Sequence, residues 1–180
     1  SSGLTLLSLG VRIPRPMAAL IDGLILTAGT VWVVFFAESF IGPFQSFLIT
    51  LGVPLAAWAG IIIADIALRK RDYDDEALFD ASGRYGAWDW TSIATLVGAS
   101  IVGWGLVVNL FAEDAAWNNW QGYLLEPLGL ATWVSAEEGG PYWEGNWAYA
   151  NLGVLIALVA SFVITYLARR ARVARQEERV

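Results

Sequence analysis

The chain has 180 residues, of which 57% are hydrophobic and 16% charged, against about 25% charged in an ordinary soluble domain. Its mean hydropathy is +0.54 and its apolar residues gather in long runs, so it has too little polar surface to cover itself in water and lipid is the expected solvent. The absence of Cys and His removes thiol nucleophiles, histidine proton switches, Cys or His metal sites and Ser-His-Asp triads, and a net charge of −6 argues against nucleic acid as a partner.

Ser1 to Gly10 is apolar but about half the length of a membrane span. It lacks the basic start and small-residue cleavage site of a signal peptide, and reads as the trailing half of a truncated helix. Four runs long enough to cross a bilayer follow: Met17 to Ala37 with Asp22, Phe44 to Leu68 with Asp65 near its end, and the uncharged Thr91 to Ala112 and Tyr149 to Ala168. The loop 69–90 mixes both signs and offers a short helix at Asp74 to Ala81, capped by Asp74 or Asp75; otherwise it is a solvated connector. The connection Glu113 to Ala148 carries five tryptophans, Trp117, Trp120, Trp133, Trp143 and Trp147, whose amphipathic rings favour a membrane interface. Trp117, Trp120, Tyr123, Leu124 and Leu128 have helical spacing up to Pro127 and beyond it, which predicts an interfacial helix bent or ended there. A lid over an external vestibule is the functional alternative. The basic tail 169–180 continues the last helix, with arginines anchored near anionic headgroups at about 1 kcal/mol each.

Lys and Arg are retained on the cytoplasmic side of short loops, and all eleven basic residues obey one pattern. Arg12 and Arg15 precede the first full span; Arg69, Lys70, Arg71 and Arg84 lie between the second and third; Arg169, Arg170, Arg172, Arg175 and Arg179 follow the fourth. The other two connections hold seven acidic residues and no Lys or Arg. The C-terminus is therefore expected in the cytoplasm of a multi-pass protein of a cell membrane, taken as a bacterial inner membrane.

Small residues at intervals of four, Ala19, Gly23 and Thr27, then Ala56, Gly60 and Ala64, predict close helix packing in a bundle. Pro54 lies mid-span and frees a backbone carbonyl, which requires neighbouring protein or a water-filled cavity. Asp22 and Asp65 are the only ionisable side chains within spans, both near cytoplasmic ends. Asp65 has Arg69 four residues on, so an inner helix-end ion pair is preferred to a proton or ion carrier.

Ser1 to Gly23 resembles the end of the eighth helix and the start of the ninth in the nucleobase–cation symporters, the purine, cytosine and allantoin permeases. The second span is similar to that family's tenth helix through Pro54, Gly60, Ile61, Ala64, Asp65, Arg69 and Tyr73, and Gly83 and Tyr85 fit the Gly-x-Tyr before its eleventh. The chain departs from the pattern at Ile66, often Tyr in the family, and in the length of Glu113 to Ala148.

The resemblance implies an all-α transmembrane fold, the C-terminal part, from the end of helix eight to helix twelve, of a twelve-helix leucine-transporter-type bundle of inverted repeats. It also implies import of a small heterocycle of cytosine, purine, uracil, allantoin or hydantoin type by symport with Na⁺ or H⁺. The cation and substrate would be bound mainly by helices upstream of Ser1, and no further cofactor is expected. In that architecture the outer part of helix ten swings as a thin gate. Phe44, Phe47, Leu48 and Leu51 share one helix face and would form the substrate gate, above a hinge at Gly52 and Pro54. Contact with lipid or a neighbouring helix is the plainer reading of the same face. The competing function is a small four-helix membrane scaffold or assembly subunit without transport. An enzyme is not expected.

Overall fold

The computed structural model describes residues 15–36, 41–80, 82–109, 120–135, 137 and 142–178. Its elements are α1 (Arg15–Phe36), α2 (Ile41–Leu68), α3 (Asp75–Leu78), α4 (Trp90–Trp104), β1 (Thr132–Val134), β2 (Tyr142–Glu144) and α5 (Leu152–Glu178). The protein is thus mostly helical, with, among the described residues, one small two-stranded antiparallel sheet that the apolar pattern does not announce. Residues 1–43 and 44–180 form separate compact units. The expected half-helix Ser1 to Gly10 lies outside the described residues.

In the first unit, α1 is apolar on every side, with Leu20, Leu24, Ile25, Trp32 and Phe35 all exposed. The hydroxyls of Thr27 and Thr30 turn back to donate to the carbonyls of Gly23 and Leu26 at 2.7 and 2.8 Å, so their protons are satisfied within the helix. A Cβ at Gly23 would meet no described atom within 4 Å.

In the second unit, α2, α4 and α5 pack around Val53, Ala57, Ala99, Val107 and Ala157. The contact depends on small residues. Gly153, Ala157, Ser161 and Thr165 form a buried line along α5 at four-residue intervals. A Cβ at Gly60 would strike Ser161 Oγ and the Leu158 carbonyl, and one at Gly103 would fall 2.5 Å from Val53 Cγ1 and 2.9 Å from the Gly153 carbonyl. Close backbone approach of this kind holds helices together where lipid provides no hydrophobic gain. The buried line on α2 is Val53, Ala57, Gly60, Ile61 and Ala64, so Ala56 lies beside it, half-buried.

Phe44–Leu68 and Leu152–Glu178 are long and apolar enough to cross a membrane, while Ala19–Phe35 and Trp90–Trp104 are shorter apolar helices. Only 28% and 22% of the most apolar windows of the two long helices are buried. A soluble core helix would be mostly covered, whereas these expose Leu55, Trp58, Ile63 and Ile66 on α2 and Leu155, Val159 and Val163 on α5.

The third expected span differs from the structure. α4 ends at Trp104 and does not run on toward Ala112, although the sequence stays apolar through Val108. The backbone N–H groups of Gly122 and Leu124 donate to the Trp104 and Gly105 carbonyls at 3.0 and 2.9 Å, taking the orphan acceptors of the helix end. Leu106 and Val108 are apolar because they enter a second core with Leu125, Ala131 and Ala148. The expected interfacial helix is absent from residues 120–130, which form turns. Gly122 has φ +80°, a conformation that breaks a helix; Trp117 lies outside the described residues. Beyond these turns, β1 and β2 pair antiparallel with Trp133 opposite Trp143, their rings edge-on at 5.3 Å.

The last helix begins at Leu152, after Asn151 at φ 49°, and continues without a break through Arg169 to Glu178. The short loop helix is α3, for which Asp74 is the cap, its carboxylate accepting from the backbone N–H groups of Glu76 and Ala77.

Candidate functional site

α2 carries polar chemistry at both ends. At its Phe44 end, Phe44, Phe47, Leu48 and Leu51 are 44, 52, 47 and 39% exposed, on the side turned away from α4 and α5. The opposite side holds Ser46, fully buried, with Thr50 and Val53 below it. α2 passes through Pro54 as a continuous helix.

Proline has no N–H to give to the carbonyl four residues back, so the Thr50 carbonyl loses its helical donor. The Trp104 indole N–H fills that vacancy at 2.8 Å. Gln121 donates from Nε2 to Thr50 Oγ1 at 3.0 Å, while that hydroxyl donates to the Ser46 carbonyl at 2.8 Å. Ser46 donates to Asn109 Oδ1 at 2.8 Å. These contacts dock one face of the Phe44 end of α2 onto the end of α4 and the turns after it. All of them are neutral hydrogen bonds.

At the other end of α2 the groups are charged. Asp65 is 7% exposed and meets Arg69 Nε at 2.8 Å and Arg169 Nη1 at 2.7 Å. The Tyr73 hydroxyl donates to the same carboxylate. From α5, Arg169 also places Nε 2.9 Å from Asp89, the residue before α4, and Arg172 Nη1 sits 2.7 Å from the other Asp89 oxygen. Arg69 stacks over Tyr73 with its guanidinium 4.3 Å from the ring centre and reaches Gln176 at 3.3 Å. Gln176 and Arg172 in turn donate to the backbone carbonyls of Arg84 and Tyr85 at 3.2 and 3.3 Å. The loop 69–89 is therefore tied to α5 at Arg69, Lys70, Arg84, Tyr85 and Asp89, while most of its described residues stay exposed to solvent. Two of the tail arginines, Arg169 and Arg172, pair with protein carboxylates.

Electrostatics reinforces this arrangement. Burial, and then the hydrogen bond to Asp65, pushes the Tyr73 phenol above its ordinary pKa, so it remains a donor. Burial works against the Arg69 charge, but the hydrogen bonds to Asp65 and Tyr73 outweigh it and leave the guanidinium more basic than usual. Among the described residues no three His, Cys, Asp or Glu come together, and Asp65 and Asp89 are both already engaged by guanidinium groups.

Residues 1–133 match the family of permeases for cytosine/purines, uracil, thiamine and allantoin. The chain belongs to this permease family. No curated protein and no solved structure matches it. The family is one of permeases and not of enzymes, which puts the chain in a membrane and among transporters of nucleobase-type substrates. The matched region contains α1 to α4, and hence both ends of α2; α5, with Arg169 and Arg172, lies beyond it.

The sequence-derived gate, hinge and ion-pair residues all fall on α2 or one residue past it, and the structure separates them into the two ends. Asp22 belongs to α1, in the other unit. Trp104, Gln121, Ser46 and Thr50 were missed, as were Tyr73, Asp89, Arg169 and Arg172 as partners of the ionic cluster. One signal was available: Pro54 removes the helical donor of the Thr50 carbonyl, and Trp104 is an indole donor at the end of the next apolar helix.

Proposed function

We propose that this chain is the C-terminal part of a secondary transporter that imports a nucleobase or related heterocycle by cation symport. The match of residues 1–133 to the permease family carries the reading. Helices upstream of Ser1 complete the inverted-repeat bundle and bind most of the substrate and the coupling Na⁺ or H⁺. The arginine pattern orients the chain with loop 69–90 and the C-terminus in the cytoplasm.

Within that transporter, the outer part of α2 is the substrate gate. Phe44, Phe47, Leu48 and Leu51 face the rest of the molecule across the substrate, and Gly52 and Pro54 form the hinge. Two observations support this role: the four side chains are exposed together, and a Cβ at Gly52 would meet no described atom within 4 Å, so that glycine is not explained by packing against the described residues. Closing the gate excludes water and strengthens the polar contacts to substrate below it. Asp65 and Arg69 hold the inner end and leave cation coupling to other helices.

Uptake of labelled cytosine, purines, uracil, allantoin and hydantoins by the full-length protein, with Na⁺ and pH varied separately, tests the reading. Saturable uptake of one of them, driven by a Na⁺ or proton gradient, is expected. Uptake of none, or uptake indifferent to both gradients, overturns it. Orientation has its own check: cysteines placed at Ser39 and Ser135 are labelled by an impermeant reagent from outside and one at Ser82 is not. Labelling at Ser82 alone inverts the topology.

A further inference from the structure

We infer that Trp104 is the positioning residue of the α2 hinge: its indole N–H replaces the donor that Pro54 removes, and so α4 governs how firmly the Phe44 end of α2 is docked. The chemistry is specific. A proline inside a helix leaves one particular carbonyl, four residues back, without its N–H. In apolar surroundings that carbonyl must find another donor or bear the desolvation cost. Here the carbonyl is that of Thr50, and the donor, 2.8 Å away, comes from the last residue of a different helix.

Trp104 is itself fixed. It packs against the α2–α4–α5 core, and its ring meets Trp120 edge-on at 5.3 Å. Its own carbonyl accepts from Gly122, which holds the following turn in place. That turn delivers Gln121, 5% exposed, to the Thr50 hydroxyl. One residue of α2 is therefore gripped twice, on its backbone by Trp104 and on its side chain by Gln121, four residues before the proline. Movement of the Phe44 end away from α4 breaks both bonds together. An unbroken helix would satisfy the Thr50 carbonyl internally and would not depend on α4; the proline moves that bond to a neighbour and makes docking conditional on it.

The substitutions that test this are Trp104→Phe, which keeps an aromatic ring and removes the N–H, and Pro54→Ala, which restores the internal donor. In the full-length protein in lipid nanodiscs, Trp104→Phe raises backbone hydrogen exchange over residues 44–53 by about fivefold, the factor that one ordinary net hydrogen bond makes. Adding Pro54→Ala returns exchange to the wild-type rate, because the alanine supplies a backbone N–H to the Thr50 carbonyl. If Trp104→Phe fails to fold, recovery of folded protein in the double variant supports the same assignment. Unchanged exchange in Trp104→Phe, or no recovery in the double variant, overturns it.

That the docked segment is a gate rests on the transport reading above, and uptake separates the two. Trp104→Phe changes the KM of nucleobase uptake at normal protein level, whereas the double variant regains slow exchange but transports poorly, since its hinge is gone. Normal uptake in a double variant with slow exchange overturns the positioning role. Wild-type protein that exchanges as described yet takes up none of the labelled bases overturns the transport reading and leaves the Trp104 bond standing.

Discussion

The two ends of α2 are held by different chemistry, the Phe44 end to the end of α4 and the turns after it, the Asp65 end to α5 and the loop before α4. At the Asp65 end, two carboxylates and three guanidinium groups are interlocked, and Asp65 and Arg169 each have more than one ionic partner, so no single bond decides the contact. At the Phe44 end the contacts among the described residues include neutral hydrogen bonds centred on Thr50 and Ser46. Bonds to ionised groups are roughly twice as strong as neutral ones, and a network resists movement more than separate bonds do. One helix is thus bolted at one end and lightly docked at the other, with Gly52 and Pro54 between. That is the layout the proposed gate would use.

The strongest way to break this contrast is Asp65→Asn. Asp65 and Arg69 side chains are 10 and 8% exposed, and Arg169 is 12% exposed, so the substitution leaves two nearly buried guanidinium groups short of a counter-charge. The expected loss is about 3–5 kcal/mol, read as lower expression and a lower melting temperature, with the cation dependence of any remaining uptake unchanged. A changed cation coupling ratio would make Asp65 part of the ion pathway.

At the other end, Phe47→Ala and Leu48→Ala remove apolar side chains that are about half exposed and outside the two core clusters. Protein levels are expected to stay near normal, while the KM for the transported base rises on the order of tenfold. Unchanged uptake in both variants leaves Gly52 and Pro54 without a gating role.

The smallest effect is expected just outside the bolted end. Arg84 and Asp74 pair at 2.6 Å, but the Asp74 side chain is 47% exposed. Asp74→Asn keeps the cap of α3 and removes only a solvent-screened charge, so thermal stability falls by about 1 kcal/mol or less. A loss as large as that of Asp65→Asn would show that the network extends farther into the loop than its burial indicates.

Sequence reveals local features and misses long-range ones. A span over Phe44 to Leu68 follows from an unbroken apolar run, and the Asp74 cap from an acid placed before a short helical stretch. The reach between Asp65 and Arg69 follows from four-residue spacing. Arg169 and Asp89, by contrast, meet Asp65 and its neighbours only through packing of α5 against α2 and α4, which no local pattern encodes; beyond a span, arginines read equally as lipid anchors. The end of α4 was hidden because Leu106, Val107 and Val108 are apolar for another reason, burial in cores formed after the chain turns. The two-stranded sheet was masked by a tryptophan-rich composition that also suits an interfacial helix, and Gly122 at positive φ excluded that helix from the turns after α4. The Trp104 bond is intermediate: proline names the acceptor that loses its helical donor, but only the fold brings the replacement.

The division of α2 is tested most directly by hydrogen exchange along the helix in the full-length transporter, with and without a saturating transported base. Protection that rises on substrate addition in residues 44–52 and stays unchanged in residues 55–65 is the predicted result. An equal change along the whole helix, or a change confined to the Asp65 end, would contradict the account.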